Sequence, residues 1–355
     1  ATMRVMPRDL PPRAAAVLLA LVLALLVFRL GAFPLLGPDE PRYARVAVEM
    51  HRAGAWVTPT LQGQPWLEKP PLYYWLSGLA YTALGETEVA ARLPSLLALL
   101  LLVGASAFIG ARLYGSAAGL HAGFVAGTAL LPFVYGHAAS MDMLLAATVT
   151  VAIGLAALRL LDLAGRSALV LAAVAAALAT LAKGPLGLLL PGLVVGGYLL
   201  ATREWRRLRD LVSLPALAAF LLLATPWYLE ILLDQGRHFV DVFLLNHNLQ
   251  RFTSTVHHHP GSIVYYLPLL LAGLFPWSGL LAPGLVRVSP RSSRTDLLVL
   301  LWAGLPLVFF SLAGSKLPGY ILPCIPPRAI LMGRAADRLV NEAATPERAL
   351  LCRLV

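Results

Sequence analysis

Between Gly37 and Pro71 the chain reads GPDEPRYARVAVEMHRAGAWVTPTLQGQPWLEKPP, a long polar interval in an otherwise apolar sequence. Asp39 and Glu40, with Arg42 two residues on, form a carboxylate pair beside a guanidinium. Such a pair could act as a general base, or orient an acceptor, with its pKa tuned by the arginine. It could equally be acidic charge that complements the dipole of a helix start. Glu68-Lys69 is framed by Trp66-Leu67 and Pro70-Pro71. A lysine is a compact cation suited to a phosphate, and the other reading is a solvated turn. Asp142, in HAASMDM, stands where a membrane helix begins. Ionisable groups at membrane depth are functional by default, although an acid there also caps a helix. Lys183 in AKGP and Lys316 in SKLP are lone lysines at helix breaks. They either snorkel to the interface or hold a phosphate. In NHNLQRF, His247 and Arg251 lie four residues apart and share a helix face. His247 could ligate a metal with a carboxylate of the first loop, exchange protons or simply hydrogen-bond, and Arg251 could clamp a phosphate. His257, His258 and His259 follow, but adjacent histidines on a loop do not fix a metal geometry.

What must position these residues is a membrane scaffold. The chain has 355 residues, of which 59% are hydrophobic and 13% charged, with a mean hydropathy of +0.75. Soluble domains carry roughly 25% charged residues, so this is a multi-pass, all-α membrane protein. The net charge of +10 is spread in small groups between apolar runs and forms no nucleic-acid patch. Cys324 and Cys352 show no CxxC spacing, so neither a disulfide framework nor a thiolate metal site is expected. The first apolar run, 14–36, is long, lacks a small-residue cleavage site and is read as a retained helix.

Further apolar runs fall at 89–113, 116–136, 139–163, 167–182, 185–201, 210–230, 262–286, 297–314 and 319–336. With the first, these predict ten transmembrane helices. Residues 38–54 have helical spacing, with Tyr43, Val46, Ala47 and Met50 on one side, and predict an amphipathic interfacial helix. Residues 71–85 are apolar but short. If they also lie at the interface, the arginine groups at 4–13, 112, 159–166, 203–209, 287–294 and 334–338 all fall on one face. The positive-inside rule then puts the N-terminus in the cytoplasm. The 37–88 loop, 136–142, 183–185, a second loop at 231–261 and 314–319 face outward, and every chemically suggestive group falls there. There is no GxxxxGK[ST] or GxGxxG pattern, so no nucleotide cofactor is expected. No inverted repeat of broken helices is evident, which weighs against a secondary transporter.

The ordered series GPDEPRYARVAVEM, EKPPLYYW, ARLPS, SMDM, AKGP, NHNLQRF, HHHP and SKLPGYILP resembles the bacterial lipid A aminoarabinose transferase family. That family belongs, with the protein O-mannosyltransferases, to the GT-C superfamily. The resemblance runs from about Gly37 to Pro323. It implies a GT-C bundle in the bacterial inner membrane with a periplasmic active site. The implied activity is inverting-type transfer of a sugar from undecaprenyl phosphate, with aminoarabinose the lead sugar and a lipid A phosphate the lead acceptor. Asp39 and Asp142 would be the catalytic acids, and Arg42, Lys69, Arg251, Lys316 and Tyr320 would hold the donor phosphate. Glu68 and His247 would bind a divalent ion such as zinc, with Glu40, Lys183 and His259 as further candidates. Residues 1–336 would form the catalytic domain and 337–355 a C-terminal segment. The family's soluble C-terminal domain would be absent from this chain, as in a shorter homologue or a truncated one. The rival readings are a protein O-mannosyltransferase acting on serine or threonine, and a flippase for lipid-linked sugars.

Overall fold

The computed structural model describes residues 24–250, 261–286 and 288–343. Among these the fold is helical apart from one hairpin. Helix α1 (Asp39–Ala53) opens with two acids and closes with His51 and Arg52, both favourable to its dipole. It stops at Gly54, whose φ of 62° completes a left-handed C-cap. Ala44, Val46, Ala47 and Met50 are its buried face, as its spacing predicts. The hairpin β1 (Thr60–Leu61) and β2 (Gln64–Pro65) turns through Gln62 and Gly63, both at positive φ. Glu49 accepts hydrogen bonds from Arg45 Nε (2.8 Å), Thr60 Oγ1 (3.2 Å), Gln62 N (2.9 Å) and Gly63 N (3.1 Å), and so pins the hairpin to α1.

Helix α2 (Leu72–Leu84) follows Pro70-Pro71 and is too short to span. Helix α3 (Glu88–Tyr114) starts where the Thr87 side chain accepts from Ala90 N. It packs on α4 (Ser116–Thr128), and α4 in turn packs on the last helix, α14 (Ile325–Ala343). Both contacts run through small residues, as membrane helix pairs do. A Cβ on Gly123 would lie 2.8 Å from that of Ala107. Helix α5 (Leu130–Gly136) bends 60° from α4. Next come α6 (Met141–Leu160), α7 (Ser167–Lys183), α8 (Leu186–Thr202), the short α9 (Leu208–Leu211) and α10 (Leu214–Phe239). Later in the chain lie α11 (Tyr266–Gly273), α12 (Leu281–Val286), α13 (Arg294–Leu312) and a 3-10 segment, Pro318–Cys324, that runs into α14.

The first expected span, 14–36, lies partly outside the described residues. Among the described residues four helical stretches are long and apolar enough to cross a membrane: α3, α6, Leu214–His247 and α13. Two bent pairs would bring the number to six. Runs 116–136 and 262–286 are broken, and α7 and α8 have 17 residues each. Run 319–336 becomes the 3-10 segment and a helix carrying Arg328, Arg334 and Arg338. The expected second loop also differs. After a kink at Gly236 (φ 54°), residues Val240–Gln250 continue as a π-helix. Phe239 and Phe243 stack at 5.1 Å, and Phe239 packs edge-on against Trp227 at 5.8 Å. Those rings keep the segment helical against α10.

Candidate functional site

One end of the bundle gathers the termini of elements far apart in sequence. Asp142 stands in the first turn of α6, where the Ser140 side chain caps its N–H at 3.1 Å. Lys183 ends α7 just before Gly184, and its ammonium forms an ion pair with Asp142. The same ammonium lies 4.5 Å from the centre of the Tyr320 ring. Gly319 allows this approach: a Cβ there would fall 2.7 Å from Asp142 Oδ2 and 2.8 Å from the Tyr135 ring. Tyr135 hydrogen-bonds the Gly319 backbone and lies in the field of both Asp142 and Asp39.

Lys183 and Tyr320 border a cavity of about 380 Å³. Its polar lining is Glu68, Lys69, Lys183, His247, Ser315 and Tyr320, and its apolar lining includes Leu186, Leu189, Phe243, Leu244, Phe309 and Phe310. Lys69 is 8% exposed and donates to the Glu68 carbonyl at 3.2 Å. His247 Nε2 lies 3.5 Å from Glu68 Oε1. Those two residues meet as the sequence suggested. Among the described residues, however, no three His, Cys, Asp or Glu side chains cluster to hold a metal. Two ligands do not make a zinc site, so the described residues do not fit the expected ion. Arg251 and His257, His258 and His259 lie outside the described residues.

Asp39 and Arg42 are not among the residues that line the cavity. Asp39's side chain is 56% exposed and 3.4 Å from Arg42, whose guanidinium lies 5.6 Å from the Trp66 ring. Glu40, paired with Asp39 in sequence, turns the other way. Its Oε1 accepts from Arg92 Nε (3.0 Å) and Ala139 N (2.6 Å), and its Oε2 from Arg92 Nη2 (3.0 Å) and Leu36 N (2.7 Å). Burial pushes this carboxyl up, but Arg92 and the two backbone N–H groups outweigh that and hold it below the usual value. A carboxylate so saturated is an anchor and not a base. Lys316 differs too. It does not line the cavity; its ammonium donates to the carbonyls of Ser311 (2.9 Å) and Ala313 (2.6 Å) at the end of α13. Burial draws its pKa down.

Sequence reasoning passed over Arg92. It is 3% exposed and uses all five guanidinium donors, on Glu40 and on the carbonyls of Leu30, Phe33 and Pro34. The signal was available: a charge inside an apolar run of membrane length is seldom idle. At the other end of the bundle, Arg334 and Tyr114 meet Asp296 at 2.6 and 2.9 Å, and Arg207 meets Asp162 at 2.9 Å. The polar residues thus separate into two opposed ends.

Residues 68–229 match the family of dolichyl-phosphate-mannose-protein mannosyltransferases. A crystal structure of ArnT from Cupriavidus metallidurans bound to undecaprenyl phosphate superposes with a TM-score of 0.85 at 33% identity, over 91% of this chain and 60% of that one. The apo oligosaccharyltransferase of Archaeoglobus fulgidus shares the fold alone, with a TM-score of 0.59 and 15% identity, over 95% of this chain and 51% of that one. The fold is therefore that of the GT-C membrane glycosyltransferases. The undecaprenyl phosphate-alpha-4-amino-4-deoxy-L-arabinose arabinosyl transferase of Edwardsiella ictaluri is 34% identical over 314 residues, 86% of this chain. Within the GT-C class, the chain is similar in sequence and fold to these arabinosyl transferases. It spans 56% of the length of the Edwardsiella protein.

Proposed function

We propose that this chain carries the catalytic membrane domain of a glycosyltransferase that uses undecaprenyl phosphate-linked aminoarabinose and modifies a lipid A phosphate. The observation that carries the reading is the cavity. Its lining residues Lys69, Lys183 and Tyr320 suit an anionic head, and Leu186, Leu189, Phe243, Leu244, Phe309 and Phe310 suit a prenyl chain. Residues 1–336, with the outward segments 37–88 and 231–261, form the working unit in the bacterial inner membrane. The N-terminus is cytoplasmic and the cavity faces the periplasm.

In this reading an acceptor oxygen attacks the anomeric carbon from the face opposite the leaving group. The bond from that carbon to the phosphate oxygen breaks, and its electron pair leaves on undecaprenyl phosphate. Lys69 and Lys183 stabilise the charge that develops there. Asp39, with its side chain more than half exposed, orients the acceptor and takes any proton it releases. Asp142 holds Lys183 toward the donor, and Arg42 and Arg251 contribute positive charge for the phosphate. Lys316 acts through the SKLPGY backbone, in keeping with its bonds to the end of α13. The Glu68–His247 pair orders the cavity lining.

The test is transfer from radiolabelled undecaprenyl phosphate-aminoarabinose to lipid A in proteoliposomes, comparing the parent with Asp39→Asn and Lys69→Ala. Transfer by the parent, with a loss of about 10²-fold or more in each variant, is expected. Labelling of serine or threonine peptides instead would favour the mannosyltransferase reading. Translocation of the donor without transfer, indifferent to Asp39→Asn, would favour a flippase.

A further inference from the structure

We propose that Arg92 and Ser95, one turn apart on α3, are positioning residues that set the separation between Asp39 and Asp142. The inference rests on the transferase reading above. Residues three apart on a helix share a face, and this face holds both acidic segments. Arg92 grips Glu40, the neighbour of Asp39, through two parallel bonds of 3.0 Å. It also holds the chain entering α1 through the carbonyls of Leu30, Phe33 and Pro34. Ser95 donates to the Ser140 carbonyl at 3.0 Å and accepts the Ser140 N–H at 3.1 Å. Ser140 in turn caps Asp142 and lies 3.4 Å from its carboxylate. Glu40 closes the loop, because its Oε1 accepts from Ala139 N at 2.6 Å.

Each acid is thus one or two residues from an anchor, and both anchors hang on the same turn of α3. Arg92, Ser95 and Glu40 do not line the cavity, so the clamp can act only through geometry. The choice of arginine fits the task. A lysine would keep the charge but could not supply five donors in a fixed plane. A clamp built only for stability would need no link between the two acidic segments, yet Glu40 bonds to both.

The test compares Arg92→Lys, Ser95→Ala and Ser95→Thr with the parent, and uses Arg52→Ala as control. Arg52 pairs with Glu86 at the exposed end of α1, away from the cavity. Rates are normalised to protein that elutes as a folded monodisperse peak. We expect kcat to fall about tenfold or more in Arg92→Lys with the donor KM within about twofold. Ser95→Ala should fall less and Ser95→Thr should recover, while Arg52→Ala stays at the parent rate. If Arg92→Lys merely lowers the folded yield, with kcat per folded molecule unchanged, the inference is overturned. A second measurement does not depend on the sugar. Spin labels at Asp39→Cys and Asp142→Cys, on a Cys324→Ala/Cys352→Ser background, should give a narrow distance distribution that broadens with Arg92→Lys. An unchanged distribution refutes the clamp even if the transferase reading stands. A parent that transfers nothing refutes that reading and leaves the distance measurement to decide the clamp.

Discussion

Gly319→Ala separates chemistry from architecture. The added methyl would sit 2.7 Å from Asp142 Oδ2 and 2.8 Å from Tyr135 Cε1. Ordinary carbon contacts begin near 3.5 Å, so the neighbours must yield by about 0.7 Å. Both are side-chain atoms, and they can move without parting any helices. The stability cost is therefore at the low end for overpacking, about 1 kcal/mol. The functional cost is larger, because what moves is the Asp142 carboxylate and with it the Lys183 ammonium. Displacing a positioned group by about 1 Å costs about 10²-fold in rate, so a drop of 10- to 10²-fold is expected. Gly119→Ala is the counterpart. Its methyl would meet the Ala107 carbonyl and the Ala111 nitrogen at 2.5 Å, both backbone atoms of α3. The helices must then separate, at about 2–3 kcal/mol, while surviving molecules keep nearly full activity. Thermal unfolding in detergent and transfer per folded molecule measure the two effects separately. A Gly319→Ala enzyme within about threefold of the parent, or a Gly119→Ala enzyme stable but inactive, would refute the reasoning.

Two further outcomes follow from the ion pairs. Lys183→Met strips the partner from Asp142; transfer should fall about tenfold or more with a lower unfolding temperature. Asp142→Asn/Lys183→Met should regain stability but not activity, and recovery of both would contradict the assigned roles. Glu40 and Glu49 supply a pH dependence. Burial pushes both carboxyls up, but it is outweighed at Glu40 by Arg92 and backbone N–H groups, and at Glu49 by Arg45, Gly63, Gln62 and Thr60, so both are held below 4.5. A carboxyl with a depressed folded pKa adds stability above its unfolded value and loses it as pH falls through the folded one. Unfolding temperature should therefore stay level from about pH 7 to 5.5 and fall below about 4.5. Glu40→Gln should start lower and decline less steeply, and a parental profile in that variant would sink the assignment.

Much of the local structure was legible because its signals are short-range. The interfacial helix expected over 38–54 is observed as Asp39–Ala53, ended by Gly54, and the short apolar segment after Pro71 is Leu72–Leu84. Glu68, Lys69, Lys183, His247 and Tyr320, from segments far apart in the sequence, line one cavity. The direction of Glu40 was not legible from its neighbour. Successive helical residues point about 100° apart, so Asp39 and Glu40 cannot share one task. Lys183 and Asp142 are 41 positions apart, and only the fold reveals them as partners. Hydropathy registers an apolar run but not the breaks at Ala129 or Pro276 that split two of the runs into bent pairs.

The lysines that line the cavity bear on how the reaction cycle ends. On the proposed chemistry the donor is a phosphodiester with one negative charge. The lipid left behind is a monoester carrying about −1.5 to −2 at neutral pH. Lys69 and Lys183 therefore hold the spent carrier more tightly than the fresh one. The apolar lining cannot correct this, since it grips the same prenyl chain before and after transfer. A site tuned to draw charge onto the leaving group is thereby tuned to retain it. Turnover is then governed by exit of the carrier into the bilayer, and the pool of free undecaprenyl phosphate becomes a natural brake on the enzyme.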